Sequence, residues 1–223
     1  MEAELQTWLN LAQAGEHAAA KSLLDPLIVS SRAVLKKSES SSSENRKNAL
    51  VQGILSRGLQ NLADLLQTIS TADWIGTPSL VEQAWTQLWD SADRIIYASV
   101  YFSHPTINWG LGQLDRVYRE ITTYYGAGLY VSPEIVWNRE LCSICKHDFR
   151  SCEHVRGEIY DGTRCTTSPD GIRIRGTAIV ARAADPRCRI WPWQLKEKDG
   201  EQIIEGLCLL TSFSLEDFLL NDE

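Results

Sequence analysis

The chain has 223 residues, 43% of them hydrophobic and 23% charged, so it carries enough apolar surface for a packed core and is not a disordered tract. Its 22 Lys+Arg face 29 Asp+Glu, a net charge of -7, which excludes a uniformly basic nucleic-acid binder. No apolar run approaches the roughly 20 residues that span a bilayer, and the opening Met-Glu-Ala-Glu-Leu has no leader-like apolar stretch. A cytoplasmic chain with no membrane partner is expected.

In chain order, Leu5, Trp8, Leu9 and Ala12 recur at helical spacing, and Gly15 can end that helix. A second apolar stretch runs from Ala18 to Leu35. Pro26 lies inside it and predicts a break, because an interior proline removes a helical hydrogen bond. Ser38 to Glu44 holds five Ser among seven residues and reads as a flexible link. From Asn45 to Ser70, Val51, Leu55, Leu59, Leu62, Leu66 and Ile69 form one stripe, as a core-facing helix requires. Ser79 and Glu82 have capping-box spacing. Val81, Trp85, Leu88, Trp89, Ala92 and Ile96 then mark the buried face of the next helix.

A last helix spans about Leu111 to Tyr124, with Leu114, Val117, Tyr118 and Ile121 inward and Gly126 and Gly128 at its end. Gly110 and Gly112 read as helix punctuation, and His104-Pro105 as a loop. Trp74, Trp85, Trp89 and Trp109 are expected in the core.

The texture changes after Gly128. Leu129–Val131 and Ile135–Trp137 are β-prone around Pro133, and three more strands are predicted at 172–175, 177–182 and 203–211. All six cysteines, at 142, 145, 152, 165, 188 and 208, lie in this part. The fold class is therefore α+β. A helical bundle over residues 1–130 precedes a small, zinc-stapled, mostly β domain over 131–223, which ends in an acidic tail.

The chemistry concentrates in Cys142-Ser-Ile-Cys145-Lys-His147-Asp-Phe-Arg-Ser-Cys152-Glu-His154, with Cys165 further on. Cys-x2-Cys wraps two thiolates around one tetrahedral Zn²⁺. Cys152 and His154 are two apart, so in an extended segment both face one side. Five residues compete for four places: Cys142, Cys145, Cys152, His154 and Cys165. The first choice is Cys142, Cys145, Cys152 and His154; the main alternative replaces Cys152 with Cys165, and His147 stands outside both.

A redox Cys-x2-Cys would open a helix in a thioredoxin-like unit, which is not discernible here. The spacing also differs from common iron–sulfur patterns. Thiolate and imidazole ligands that fill all four positions leave no metal-bound water, which favours a structural over a hydrolytic zinc. Cys188 and Cys208 read as small core residues.

Cys142-x2-Cys145, Asp148-Phe149-Arg150, Cys152-x-His154, Gly157, Tyr160-Asp161-Gly162 and Cys165, followed by Ala183-Ala184-Asp185-Pro186-Arg187, resemble a Cys/His module of phage prohead-protease and capsid-associated proteins. The resemblance covers about residues 142–190. It implies zinc binding by the Cys/His set and carries no activity, since the protease residues are not recognisable and the helical part does not match.

Charge is uneven. Residues 146–189 hold nine Lys+Arg against six Asp+Glu, whereas 190–223 hold two against eight. Arg173, Arg175, Arg182, Arg187 and Arg189 could form a phosphate-gripping ridge, or could pair within the fold. Ser214-Leu-Glu-Asp217-Phe218 predicts a short capped amphipathic turn, docked on its own core or offered to a partner. No phosphate loop, dinucleotide fingerprint or nucleophile elbow occurs. The sequence thus points to a non-catalytic, zinc-binding adaptor subunit with protein partners in a larger assembly. Nucleic-acid binding through the arginine ridge is the alternative, and a zinc-dependent hydrolase the second alternative.

Overall fold

The computed structural model describes residues 1–36, 41–198, 201–204 and 214–219. It is α+β: a helical region comes first, and a small β region carrying the Cys/His cluster follows.

The helices are α1 (Glu2–Gln13), α2 (His17–Leu23), α3 (Asp25–Lys36), α4 (Ser43–Ile69), α5 (Pro78–Ser99) and α6 (Pro105–Tyr125). The break expected at Pro26 falls between α2 and α3, and the proline occupies the first turn of α3, where its missing N–H costs nothing. Of the predicted link at 38–44, residues 38–40 lie outside those described. Its later part belongs to α4: Ser42 accepts the Asn45 amide as N-cap, and Ser43 and Glu44 open the helix.

Two local expectations for α5 give way to tertiary contacts. Ser79 is not its cap; Pro78 takes the first helical position, and the Glu82 carboxylate instead accepts from Trp193 Nε1 at 2.5 Å. Ile95 is fully buried while Ile96 is exposed, since neighbouring helical positions are turned about 100° apart. Helix α6 starts earlier than predicted. His104 Nδ1 accepts the Thr106 amide, so the supposed loop is an N-cap. Gly110 lies inside α6, where a Cβ would stand 3.1 Å from Leu62, and permits close approach to α4.

The strands are β1 (Leu129–Val136), β2 (Arg139–Cys142), β3 (Ile159–Tyr160), β4 (Thr163–Arg164), β5 (Thr167–Asp170), β6 (Arg173–Val180), β7 (Arg189–Ile190), β8 (Leu195–Lys198) and β9 (Glu201–Ile204). They form antiparallel groups ordered β6-β1-β7, β2-β5, β3-β4 and β8-β9. The predicted pieces around Pro133 merge into β1, with Pro133 opposite Thr177 and a register shift between Glu134 and Ile135. The pieces at 172–175 and 177–182 merge into β6. Of the strand predicted at 203–211, only Ile203 and Ile204 are described, in β9; Cys208 and the terminal acids lie outside the described residues.

The main core joins helices and strands. Trp8, Leu59, Leu62, Leu65, Trp85, Ile95 and Val117 are packed together with Tyr130 of β1 and with Trp191. A smaller cluster sets Ile28, Leu50 and Ile54 against Leu215 and Phe218. Cys188 is buried, as expected of a core filler. Among the described residues, no helix is long and apolar enough to cross a membrane.

Candidate metal centre

Strand β2 ends at Cys142, and the chain reverses at once. The Lys146 amide donates to Cys142 O and the Cys142 amide to His147 O, each at 2.9 Å. Lys146 takes φ +64, the left-handed conformation that closes this tight turn. The turn places Cys145 beside Cys142. The Ile144 amide points at Cys142 Sγ, 3.4 Å away.

Asp148 then opens a single 3-10 turn, Phe149–Ser151, by accepting the Arg150 amide on its carboxylate. Cys152 leaves this turn in an extended conformation, φ -104 and ψ 157. Such backbone projects Cys152 and His154 to one side, as their spacing predicts.

The following hairpin β3–β4 turns through Asp161 at φ +46 and Gly162 at φ +71. Two consecutive positive φ values are what a two-residue type I′ hairpin demands, and Asp-Gly meets them. Strand β4 delivers Cys165, whose amide donates to Glu158 O and whose carbonyl accepts from Gly157.

As a result, Cys142 Sγ, Cys145 Sγ, Cys152 Sγ and a ring nitrogen of His154 all lie within 4.8 Å of one another. A tetrahedral ion with ligands at about 2.3 Å has ligand–ligand edges near 3.8 Å, so modest closure of this group suffices to hold a metal. The donors fit that role chemically as well. His154 Nδ1 is buried with no hydrogen-bond partner among the described residues, a costly state for a ring nitrogen that a metal or a polar ligand would relieve. Burial alone would raise the Cys142 thiol, but the amides of Cys145 and Ile144 and the neighbouring thiols outweigh it and hold Cys142 at about 6. Burial raises Cys152, and burial together with the Cys142 sulfur pushes Cys165 up to about 11. The chain thus prepares Cys142 as a thiolate, the form that binds metal.

Cys165 is fully buried, with its sulfur 3.8 Å from Cys142 Sγ. It adjoins the group of four at Cys142. His147 is exposed and outside the group. Glu153, between Cys152 and His154, is exposed.

Further residues brace the site, and the helical ones, Arg46 and Tyr97, carry no local sequence signal for that role. The Tyr160 ring meets His154 edge-on at 4.7 Å, and its hydroxyl accepts the Val155 amide. Tyr97 of α5 donates to Gly157 O at 2.8 Å. Arg46 of α4 holds Asp161 O at 3.0 Å. Gly162 sits where a Cβ would come 2.7 Å from Arg46 Cβ, so the hairpin tip rests directly on α4.

The five arginines grouped by sequence do not form one ridge. Arg173, Arg175 and Arg182 are exposed. Arg187 instead turns inward and pairs with Asp90, Asp93 and Asp185 at 2.6, 2.7 and 2.9 Å. Arg189 is buried and donates to the carbonyls of Tyr125, Gly126 and Ala127 at the end of α6. Carboxylates and helix-terminal carbonyls inside the fold have claimed both cations.

Comparisons with protein-family models, with curated proteins and with solved structures find no match to this chain. The likeness of residues 142–190 to a phage Cys/His module therefore rests on the motif residues themselves.

Proposed function

We propose that the chain is a non-catalytic, zinc-binding interaction subunit of a larger protein assembly, in which Cys142, Cys145, Cys152 and His154 hold one Zn²⁺. The observation that carries this reading is the gathering of those donor atoms within 4.8 Å of one another. Three thiolates and an imidazole are a set that zinc favours, and four protein ligands complete its tetrahedron. A hydrolytic role needs a position for water, which such a set does not leave.

The metal's task is then structural. The surrounding strands are two to four residues long and mostly half-buried. Such short segments bury too little apolar area to hold themselves, and a bound metal supplies the missing stability. The stapled unit packs on α4 and α5 through Arg46, Tyr97 and Gly162.

The test is metal content, by elemental analysis, of protein purified without added metal. One equivalent of zinc per chain is the expected result; a ratio near zero with free thiols at Cys142, Cys145 and Cys152 refutes it. Nucleic-acid binding remains a second reading, supported by the exposure of Arg173, Arg175 and Arg182 in the β region.

A further inference from the structure

Four sulfurs lie at the metal centre, and the group of four donors takes three of them. Cys142, Cys145 and Cys152 join His154 in that group. The Cys165 sulfur stands 3.8 Å from that of Cys142, and both residues are fully buried. Cys145 and Cys152 are half-buried. The Cys142 sulfur engages those of Cys145, Cys152 and Cys165, so it links the exposed side of the cluster to the buried one.

The backbone already holds Cys142 and Cys165 close. Cys142 ends β2 opposite Thr167 of β5. The Ser143 amide donates to Thr166 O and the Thr166 amide to Ser143 Oγ, each at 2.9 Å. These bonds fix the residues that follow both cysteines. A disulfide sets its sulfurs about 2.05 Å apart, so this pair has to close by less than about 2 Å.

A bound metal opposes oxidation of its own thiolates, because each ligand lost to a disulfide weakens the site. A link from Cys142 to Cys145 or to Cys152 removes two donors at once. A link to Cys165 removes one. It also ties the end of β2 to the residue that follows β4, so a covalent staple takes over where the metal is released.

We propose that Cys142 and Cys165 form an oxidation site of the metal centre, at which hydrogen peroxide converts the pair to a disulfide and loosens the hold on zinc. The inference rests on the zinc reading above and adds its regulation. A half-buried thiolate, Cys145 or Cys152, attacks a peroxide oxygen; the O–O bond breaks, hydroxide leaves, and the sulfur becomes a sulfenic acid. The Cys142 thiolate displaces hydroxide from that sulfur and forms a first disulfide. Cys165 gives its proton to hydroxide, attacks the Cys142 sulfur, and returns the half-buried cysteine to thiolate. In sum, the Cys142 thiolate and the Cys165 thiol lose two electrons and one proton, and the peroxide becomes water and hydroxide.

The experiment uses the full chain. Zinc content is measured before any peroxide is added; a value near zero there defeats the zinc reading and this proposal with it. The zinc-loaded chain is then treated with hydrogen peroxide, its free thiols are trapped, and its disulfides are mapped by mass spectrometry. We expect two thiols lost per chain, a dominant Cys142–Cys165 link, and zinc transfer to a chromogenic chelator at least tenfold faster than before treatment. Dithiothreitol should reverse each change. Zinc present at the outset with no link, or with a dominant link between two of Cys142, Cys145 and Cys152, overturns this proposal alone.

Cys165→Ala, which keeps its zinc when untreated, has no thiol to receive the link. The same peroxide dose should carry its ligand thiols on to sulfinic acid, so that dithiothreitol restores at most about half of the zinc that the wild-type chain regains. Equal recovery by the two chains also overturns the proposal.

Discussion

Arg189 places its guanidinium carbon 4.6 Å from the ring centre of Trp191 and 4.8 Å from that of Trp85, two indoles that meet edge-to-face with centres 5.8 Å apart. The cation sits in the corner made by an indole from helix α5 and one from the β region, while its N–H groups reach the carbonyls that end α6. Helix-terminal carbonyls carry partial negative charge and indole faces attract cations, so this one side chain joins the two halves. Arg189→Ala should destabilise the chain by about 2–4 kcal/mol, by loss of the desolvated cation–π contacts and of charged hydrogen bonds. Arg189→Lys should recover little, because an ammonium lacks the flat fork. Urea unfolding of both variants measures this, and a shift below about 0.5 kcal/mol would contradict it.

Arg187 and the Arg173/Arg175 pair should separate cleanly. Arg187→Ala leaves Asp90, Asp93 and Asp185 facing one another without their shared cation, and a loss of about 2–4 kcal/mol is expected. Arg173→Glu/Arg175→Glu alters exposed positions and should change stability by no more than about 0.5 kcal/mol for each site. Salt-dependent binding to DNA or RNA that this double variant abolishes would favour the nucleic-acid reading. Absence of binding by the wild-type chain at low salt would remove it.

The fifth sulfur gives the ligand assignment its sharpest check. Cys165 Sγ lies 3.8 Å from Cys142 Sγ but is not among the four donors that all lie within 4.8 Å of one another. Cys152→Ala and His154→Ala should therefore reduce bound zinc from one equivalent toward zero, whereas Cys165→Ala should retain it with lower thermal stability. Elemental analysis of the purified variants decides. Retention by Cys152→Ala with loss by Cys165→Ala would shift the set to the alternative considered from sequence.

Acid should loosen the turn that precedes Cys152. Two hydrogen bonds from the Arg150 side chain, together with its backbone amide, lower the Asp148 carboxyl to about 2. A depressed folded-state value stabilises the fold above the unfolded value of about 3.9, and that contribution disappears as pH falls through about 2. The Asp148 side-chain carbon resonance should titrate near pH 2 in the native protein. Titration near 3.9 would mean that the Arg150 contacts do not persist in solution.

Much of the helical architecture follows from local rules. The α4 stripe survives almost unchanged because a 3.6-residue period fixes which side chains share a face. Pro26 separates α2 from α3 because its ring cannot continue a helix from the preceding turn. The Cys-x2-Cys turn and the Cys-x-His extension likewise prepare their own geometry over a few residues. Less was legible where two neighbouring residues were equally apolar, as at Ile95 and Ile96, or where a polar residue had both a local and a distant use, as at Glu82.

By itself, the sequence determined the α+β division, the helical stripes and the segment that carries the Cys/His group, because each depends on neighbours within about a dozen residues. Tertiary structure alone decided where the arginines point and what residues 214–219 touch. A cation's sign is written in the sequence, but its direction is set by whichever carboxylates, indoles or helix-end carbonyls the fold brings near. For Arg187 these include Asp90 and Asp93, and for Arg94 they include Asp217, all far along the chain. No periodicity or spacing rule spans such separations, because only packing of the core places those groups side by side.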